Sequence, residues 1–193
     1  MHTYERRIDC ARSLLLLGLG IGLGLGLAGM LPAANAADGP RFGRPATRAE
    51  VAAVDIDIGP TGVGLPAGSG SAGAGAALFA ARCAACHGST GVEGPYARLV
   101  GGRGSLASAA PLKTIGSYWQ YAPTVYDYIN RAMPFAEPGS LQPDEVYSLV
   151  AFLLARNGVI GKAEVMDRDS LPKVLMPNRN GFVVEPAFRK VQR

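Results

Sequence analysis

The stretch Cys83-Ala84-Ala85-Cys86-His87 constrains this chain more than any other. Two cysteines separated by two residues and followed at once by a histidine match the pattern for covalent attachment of a c-type haem. Each thiol can bond to one vinyl group, and the histidine can supply the proximal iron ligand. The iron then needs a sixth donor, and a methionine in that place raises its potential. The cysteine count weighs against other readings. Cys10 precedes an apolar leader, which leaves Cys83 and Cys86 as the pair in a processed chain. A structural zinc site takes four Cys or His ligands; with His2 also in the leader, only Cys83, Cys86 and His87 remain. A thioredoxin-like pair would sit near a βαβ pattern, and none is visible. A plain disulfide would leave His87 without a task.

The start of the chain reads as a targeting segment. Arg6, Arg7 and Arg12 make a basic opening, the run from Leu14 to Leu31 is apolar and broken by Gly, and Ala34-Asn35-Ala36 fits a small-residue cleavage site. Residues 1–36 are therefore expected to be a secretory signal peptide. The run is long for such a segment, so an uncleaved anchor is the competing reading and the one expected route to a membrane. The expected compartment is the periplasm, where c-type haem is attached. The net charge of +4, from 19 basic and 15 acidic residues, is too small to suggest nucleic-acid binding, and no arginine-rich stripe is present.

Residues 37–74 read as an extended arm or linker. Pro40, Pro45, Pro60 and Pro66 punctuate it, and Gly68 to Gly75 has the Gly, Ser and Ala composition of a flexible linker. Thr47 and Glu50 have the spacing of a capping box that opens a short helical turn. Val54-Asp55-Ile56-Asp57-Ile58 alternates apolar and acidic side chains, which predicts an exposed strand with one apolar face. Such an arm either folds back over the domain that follows or lies along a partner subunit.

Residues 75–160 read as the haem domain. A helix is predicted over Ala76 to Cys86, with Phe79 packing on another helix and Cys83 facing the haem. The loop from Gly88 to Gly104 is Gly-rich. A carbonyl near its Gly94-Pro95 turn can accept the Nδ1 proton of the proximal histidine. Leu99 is a candidate pocket residue, and Arg98 and Arg103 are candidates for a propionate. Trp119 wants an apolar site with a partner for its indole N–H, which a haem edge offers. The next helix is predicted from about Pro123, with Val125, Tyr128, Ile129 and Ala132 on its buried face. It ends at Met133-Pro134, where proline keeps Met133 out of a continuing helix. Met166 and Met176 lie beyond the last predicted helix, from about Pro143 to Asn157, so Met133 is the candidate sixth ligand. That last helix should pack on the one carrying the cysteines. Three helices around a planar cofactor predict an all-α domain.

These residues carry a resemblance. Cys83-x-x-Cys86-His87, Gly94-Pro95, Met133-Pro134 and the terminal helix resemble class I cytochrome c. The resemblance implies haem attachment at Cys83 and Cys86, iron ligation by His87 and Met133, and a pocket that includes Pro95, Leu99 and Trp119. Members often show Gly-Pro-x-Leu-x-Gly, whereas here Gly94-Pro95-Tyr96-Ala97-Arg98-Leu99 has extra residues. A narrower likeness covers more of the chain. Gly43-Arg44-Pro45-Ala46-Thr47, Tyr118-Trp119-Gln120-Tyr121-Ala122-Pro123, Asn130-Arg131-Ala132-Met133-Pro134 and Met176-Pro177-Asn178-Arg179-Asn180-Gly181-Phe182 resemble the SoxD cytochrome type. That family implies the electron-accepting subunit of a sulfane dehydrogenase. Its donor would be a molybdenum-cofactor subunit related to sulfite oxidase, in periplasmic sulfur oxidation. Some members carry a second haem domain; this chain has one Cys-x-x-Cys-His and looks like a monohaem relative.

Residues 161–193 read as an extended tail. Pro172, Pro177 and Pro186 argue against a long helix, and Asn178-Arg179-Asn180-Gly181 reads as a turn. The tail is either packed loosely on the domain or a second docking segment. The expectation is an all-α class I cytochrome c domain with one covalent haem c, an N-terminal arm and a C-terminal tail. It would carry single electrons from a molybdenum-cofactor dehydrogenase subunit to a downstream cytochrome or oxidase, with no catalytic side chain of its own. A diffusible shuttle for another periplasmic dehydrogenase, and a haem enzyme, are the alternatives.

Overall fold

A computed structural model describes residues 43–183 and residue 185. The leader expected over 1–36 lies outside the described residues, as does Val184. The chain divides into two compact units, Met1–Pro45 and Ala46–Arg193. Of the first only residues 43–45 are described, and the second holds the secondary-structure elements. It is predominantly helical: α1 Arg48–Val54, α2 Ala72–Arg82, α3 Ala84–His87, α4 Ala122–Ala132 and α5 Pro143–Arg156. Two short strands, β1 Ser69–Ser71 and β2 Val165–Asp167, pair antiparallel with Gly70 opposite Met166. Among the described residues no helix is long and apolar enough to cross a membrane.

Helix α5 is the buried centre. Pro143 opens it, the Glu145 carboxylate accepts the Gln142 backbone N–H at 2.8 Å, and Asp144 and Glu145 place negative charge in the first turn. Arg156 lies in the last turn, and Gly158 follows at φ +64°. Val146, Tyr147, Leu149, Val150, Leu153 and Leu154 are buried. Helix α2 and the strand β1 before it meet α5 through their smallest residues. A Cβ on Gly75 would stand 1.9 Å from the Ser148 carbonyl oxygen, and one on Gly70 2.1 Å from the Ser148 nitrogen. Only glycine lets two backbones approach so closely. Further along α2, Phe79 meets Phe152 with ring centroids 5.0 Å apart, the helix-on-helix contact expected of it.

Helix α4 packs on the other side of α5. Its buried face holds Val125, Tyr126 and Ile129. Tyr126, not the expected Tyr128, turns inward because its ring packs on Tyr147 at 4.6 Å. Tyr128 is exposed. The Tyr147 hydroxyl donates to the Pro66 carbonyl at 2.9 Å, and burial pushes its pKa up to about 12.

The segments expected outside the core are largely part of it. Gly68 to Gly75, expected to be a flexible linker, forms β1 and the first turn of α2; its small side chains serve close packing against Ser148. The helix expected over 76–86 starts earlier and breaks at Cys83, whose φ of −123° lies off the helical value. In the arm, the capping box forms as read, with Glu50 N–H donating to Thr47 Oγ1 at 3.2 Å and Thr47 N–H to Glu50 at 2.8 Å. The strand expected over 54–58 does not form. The capped helix holds the chain through Val54, and among the described residues the one sheet pairs β1 with β2 alone. Of the alternating apolar residues only Ile58 is buried, with its N–H donated to Asp127 Oδ1 at 3.0 Å. In the tail, Met166, Leu171, Val174 and Met176 are core residues rather than loosely packed ones.

Replacing Gly75 by alanine should therefore destabilise the protein by about 2 to 3 kcal/mol, since the clash is with backbone that cannot rotate away. Urea unfolding should show a lower midpoint at unchanged slope. An unchanged midpoint would mean that the two backbones are not held together at this crossing.

Candidate functional site

The site begins where α2 stops. Cys83 caps the helix, its N–H donated to the Phe79 carbonyl at 2.9 Å. The single turn α3 then returns two bonds to Cys83: Cys86 N–H and His87 N–H donate to its carbonyl at 3.1 and 3.0 Å. Both cysteines are free thiols, Cys83 half-buried and Cys86 exposed. Burial pushes the Cys83 thiol up to about 11, against the pull of the Arg82 charge.

The imidazole of His87 is oriented by the loop that follows. Its Nδ1 lies 2.8 Å from the Ala97 carbonyl oxygen. A carbonyl can only accept, so Nδ1 carries the proton and Nε2 keeps its lone pair for a metal. The carbonyl comes from the residue two beyond Pro95. Pro95 itself is exposed, and its neighbours make the contacts. Tyr96 N–H donates to the Cys86 carbonyl at 3.1 Å. A Cβ on Gly94 would meet that same oxygen at 2.2 Å, so glycine is required for the loop to cross the Cys83–His87 turn.

Glu93 ties the loop together. Its carboxylate accepts from Ser89 Oγ at 2.8 Å, from the Thr90 N–H at 3.1 Å and from the Thr90 hydroxyl. These bonds, that of the Thr90 hydroxyl first, pull its pKa down to about 2. Neither Ala97 nor Glu93 was identified from the sequence. A backbone carbonyl leaves no residue-type signal, but Thr90-x-x-Glu93 has the Ser/Thr-to-Glu spacing of a capping box and could have been found.

The other candidates line the same core. Cys83, Leu99, Trp119 and Met133 are each half-buried and packed against it. Met133 ends α4, its N–H donated to the Ile129 carbonyl at 3.0 Å and its own backbone extended; the bond to Pro134 is cis. Met166 and Met176, by contrast, are each only 3% exposed within the core. Trp119 meets Tyr128 edge-on at 5.7 Å. The tail straps its segment down: Asn178 Nδ2 donates to the Tyr118 carbonyl at 2.7 Å, Gln120 Nε2 to the Arg179 carbonyl at 3.1 Å, and the Arg179 guanidinium lies 4.5 Å over the Tyr121 ring. Arg98 and Arg103 are engaged with the Val92 and Gly158 carbonyls at 3.3 and 3.5 Å.

This donor set suits a porphyrin held by its edge. Two free thiols one helical turn apart, an imidazole with Nε2 unencumbered, a thioether and half-buried apolar walls are the groups that a covalent haem asks for. Among the described residues no three His, Cys, Asp or Glu side chains converge as they would for a bare metal ion.

The family described as cytochrome C oxidase, cbb3-type, subunit III matches residues 70–153. A chain in the crystal structure of the sulfane dehydrogenase SoxCD from Paracoccus pantotrophus is 41% identical, with a TM-score of 0.70 over 77% of this chain and 74% of that one. No curated protein matches the chain.

The Glu93 anchor gives a signed pH dependence. Its folded pKa of about 2 lies below the ordinary 4.5, so its contribution is complete above pH 4.5 and fades as pH falls towards 2. Glu93→Gln should therefore destabilise the protein at neutral pH, and the gap from the wild type should close over that acid range. Urea titrations of both proteins across the range check this; a constant gap would exclude the carboxylate charge as its source.

Proposed function

Because the chain belongs to the family of Sox-type dehydrogenase-complex subunits, we propose that it is a periplasmic monohaem cytochrome c of class I. It would accept single electrons from a molybdenum-cofactor subunit that oxidises sulfane sulfur or sulfite, and pass them to a downstream cytochrome or oxidase. The observation that carries this reading is the attachment turn Cys83–His87 with the His87 Nδ1 proton held by Ala97.

In this reading Cys83 and Cys86 would hold the haem through thioether bonds, and His87 Nε2 and Met133 Sδ would be donors to its iron. The haem supplies a one-electron Fe(III)/Fe(II) couple. The chain's own residues set the conditions for it. The Ala97 carbonyl fixes the imidazole ring and makes His87 a stronger donor. A thioether at Met133 raises the potential, and Leu99 and Trp119 exclude water, which disfavours the extra charge of Fe(III). With the iron's donors supplied by the chain, substrate conversion would belong to the partner.

The arm supports a docking role. Helix α1 has a complete capping box yet no buried residue. Val54 is 76% exposed, and Val51 and Ile56 are exposed beside it. A seven-residue helix is marginal alone in water, so a surface that covers its apolar side chains would stabilise it. The partner of the proposed complex is that surface.

A pyridine haemochrome assay should show one haem per chain, and a gentle pull-down should bring down a molybdenum-containing subunit. No haem would remove the reading; a monomer with iron alone would leave a diffusible shuttle. Met133→His should lower the midpoint potential in a redox titration, and an undiminished potential would remove Met133 as a ligand. Deleting residues 38–56, which leaves the buried Ile58 and Leu65 in place, should weaken binding to the molybdenum subunit. Unchanged affinity would leave α1 without this role.

A further inference from the structure

The Arg82 side chain joins the two halves of the proposed site. Arg82 is the last residue of α2, directly before Cys83. Its Nη2 donates to Glu137 Oε2 at 2.8 Å and to Ser140 Oγ at 3.1 Å. Glu137 and Ser140 belong to the loop that Met133 and Pro134 open. That loop is folded on itself, with Glu137 N–H donated to the Pro134 carbonyl at 2.9 Å and Ser140 N–H to the Glu137 carbonyl at 3.3 Å. Leu141 anchors its far end in the core. Between these ends the loop is open to water, and Phe135 is 85% exposed.

Met133 is therefore secured on one side by α4 and on the other by an exposed loop. Among the described residues, the bonds from Arg82 are the only side-chain hydrogen bonds between residues 133–140 and residues 82–97. Those two stretches carry the thioether on one hand and the thiols and imidazole on the other. A soft thioether is a weak axial donor, readily displaced by a nitrogen base when its loop can swing away. One guanidinium nitrogen whose two N–H groups go to two different acceptors holds such a loop in one register, because both acceptors must be in place.

We propose that Arg82 is a positioning residue for the axial methionine: its bridge to Glu137 and Ser140 holds the Met133 loop against the attachment turn and protects the thioether from displacement. This rests on the reading of Met133 as an axial ligand. The bridge is partly solvated, with side-chain exposures of 36% for Arg82 and 65% for Glu137, so its effect has the size of an exposed ion pair.

The test is titration of the purified ferric holoprotein with imidazole, followed through the weak long-wavelength band of methionine-ligated ferric haem. Arg82→Leu should bind imidazole about two- to fivefold more tightly than the wild type. Glu137→Gln, at an exposed position that does not endanger folding, should shift the affinity in the same direction. Adding it to Arg82→Leu should give less than the product of the two effects. Arg82→Lys should recover part of the wild-type behaviour, and high salt should narrow the gap between wild type and variants. A lowered urea midpoint with an unchanged imidazole titration in both single variants would make the bridge merely structural and overturn the proposal. A wild-type protein that lacks the band, or keeps it in Met133→His, would overturn the axial reading and this proposal together. A wild-type band lost in Met133→His but indifferent to Arg82 and Glu137 would overturn this proposal alone.

Discussion

Two backbones touch where α2 crosses α5, and the placement of Cys83 at the end of α2 follows from that contact. Gly70 and Gly75 let the chain approach Ser148 to distances that no Cβ would permit. Once α2 lies that close, Phe79 reaches Phe152 and the helix ends with Cys83 at the edge of the core. A bulkier residue at either glycine would push α2 outward and carry the thiols with it. The strand pair reinforces the same contact, since β1 runs directly into α2 and brings β2 and the start of the tail with it.

The Cys83–His87 turn is shaped from the outside. The Cys83–His87 segment makes local helical bonds, and its Cys86 carbonyl also accepts from the Tyr96 N–H; the orientation of its imidazole comes from Ala97, and Ala97 is placed by a loop that crosses at Gly94. Glu93 holds that loop through the side chains and backbone of Ser89 and Thr90. On the other side, α4 delivers Met133 and the tail covers the segment around Trp119. Cys83, Trp119 and Met133 each pack against the common core.

Much of this was legible in the residues. Helices α4 and α5 announce themselves by proline at the start and periodic apolar faces, because these signals are local. The capping box of Thr47 and Glu50, the turn at Asn178 and the pairing of Phe79 with a second helix were equally readable. The errors have one cause. Gly68 to Gly75 looks like a linker because composition cannot distinguish a chain that is small in order to be flexible from one that is small in order to pack. The alternation of Val54 to Ile58 describes a face without saying whether any edge exists to pair with it. Tyr126 and Tyr128 both suit a helix face, and only Tyr147 decides between them.

The sequence by itself determined the chemistry: which thiols, which imidazole and which thioether are available, because reactive groups are written in residue types and short spacings. It also determined where the main helices lie, because their propensity, capping and periodicity are local. Only the tertiary structure decided which carbonyl holds His87, that the arm from Ile58 onward and the tail belong to the core, and that Arg82 spans from the cysteines to the methionine loop. Those outcomes depend on close approach between residues far apart in the chain, and on backbone groups that every residue shares and no sequence pattern marks.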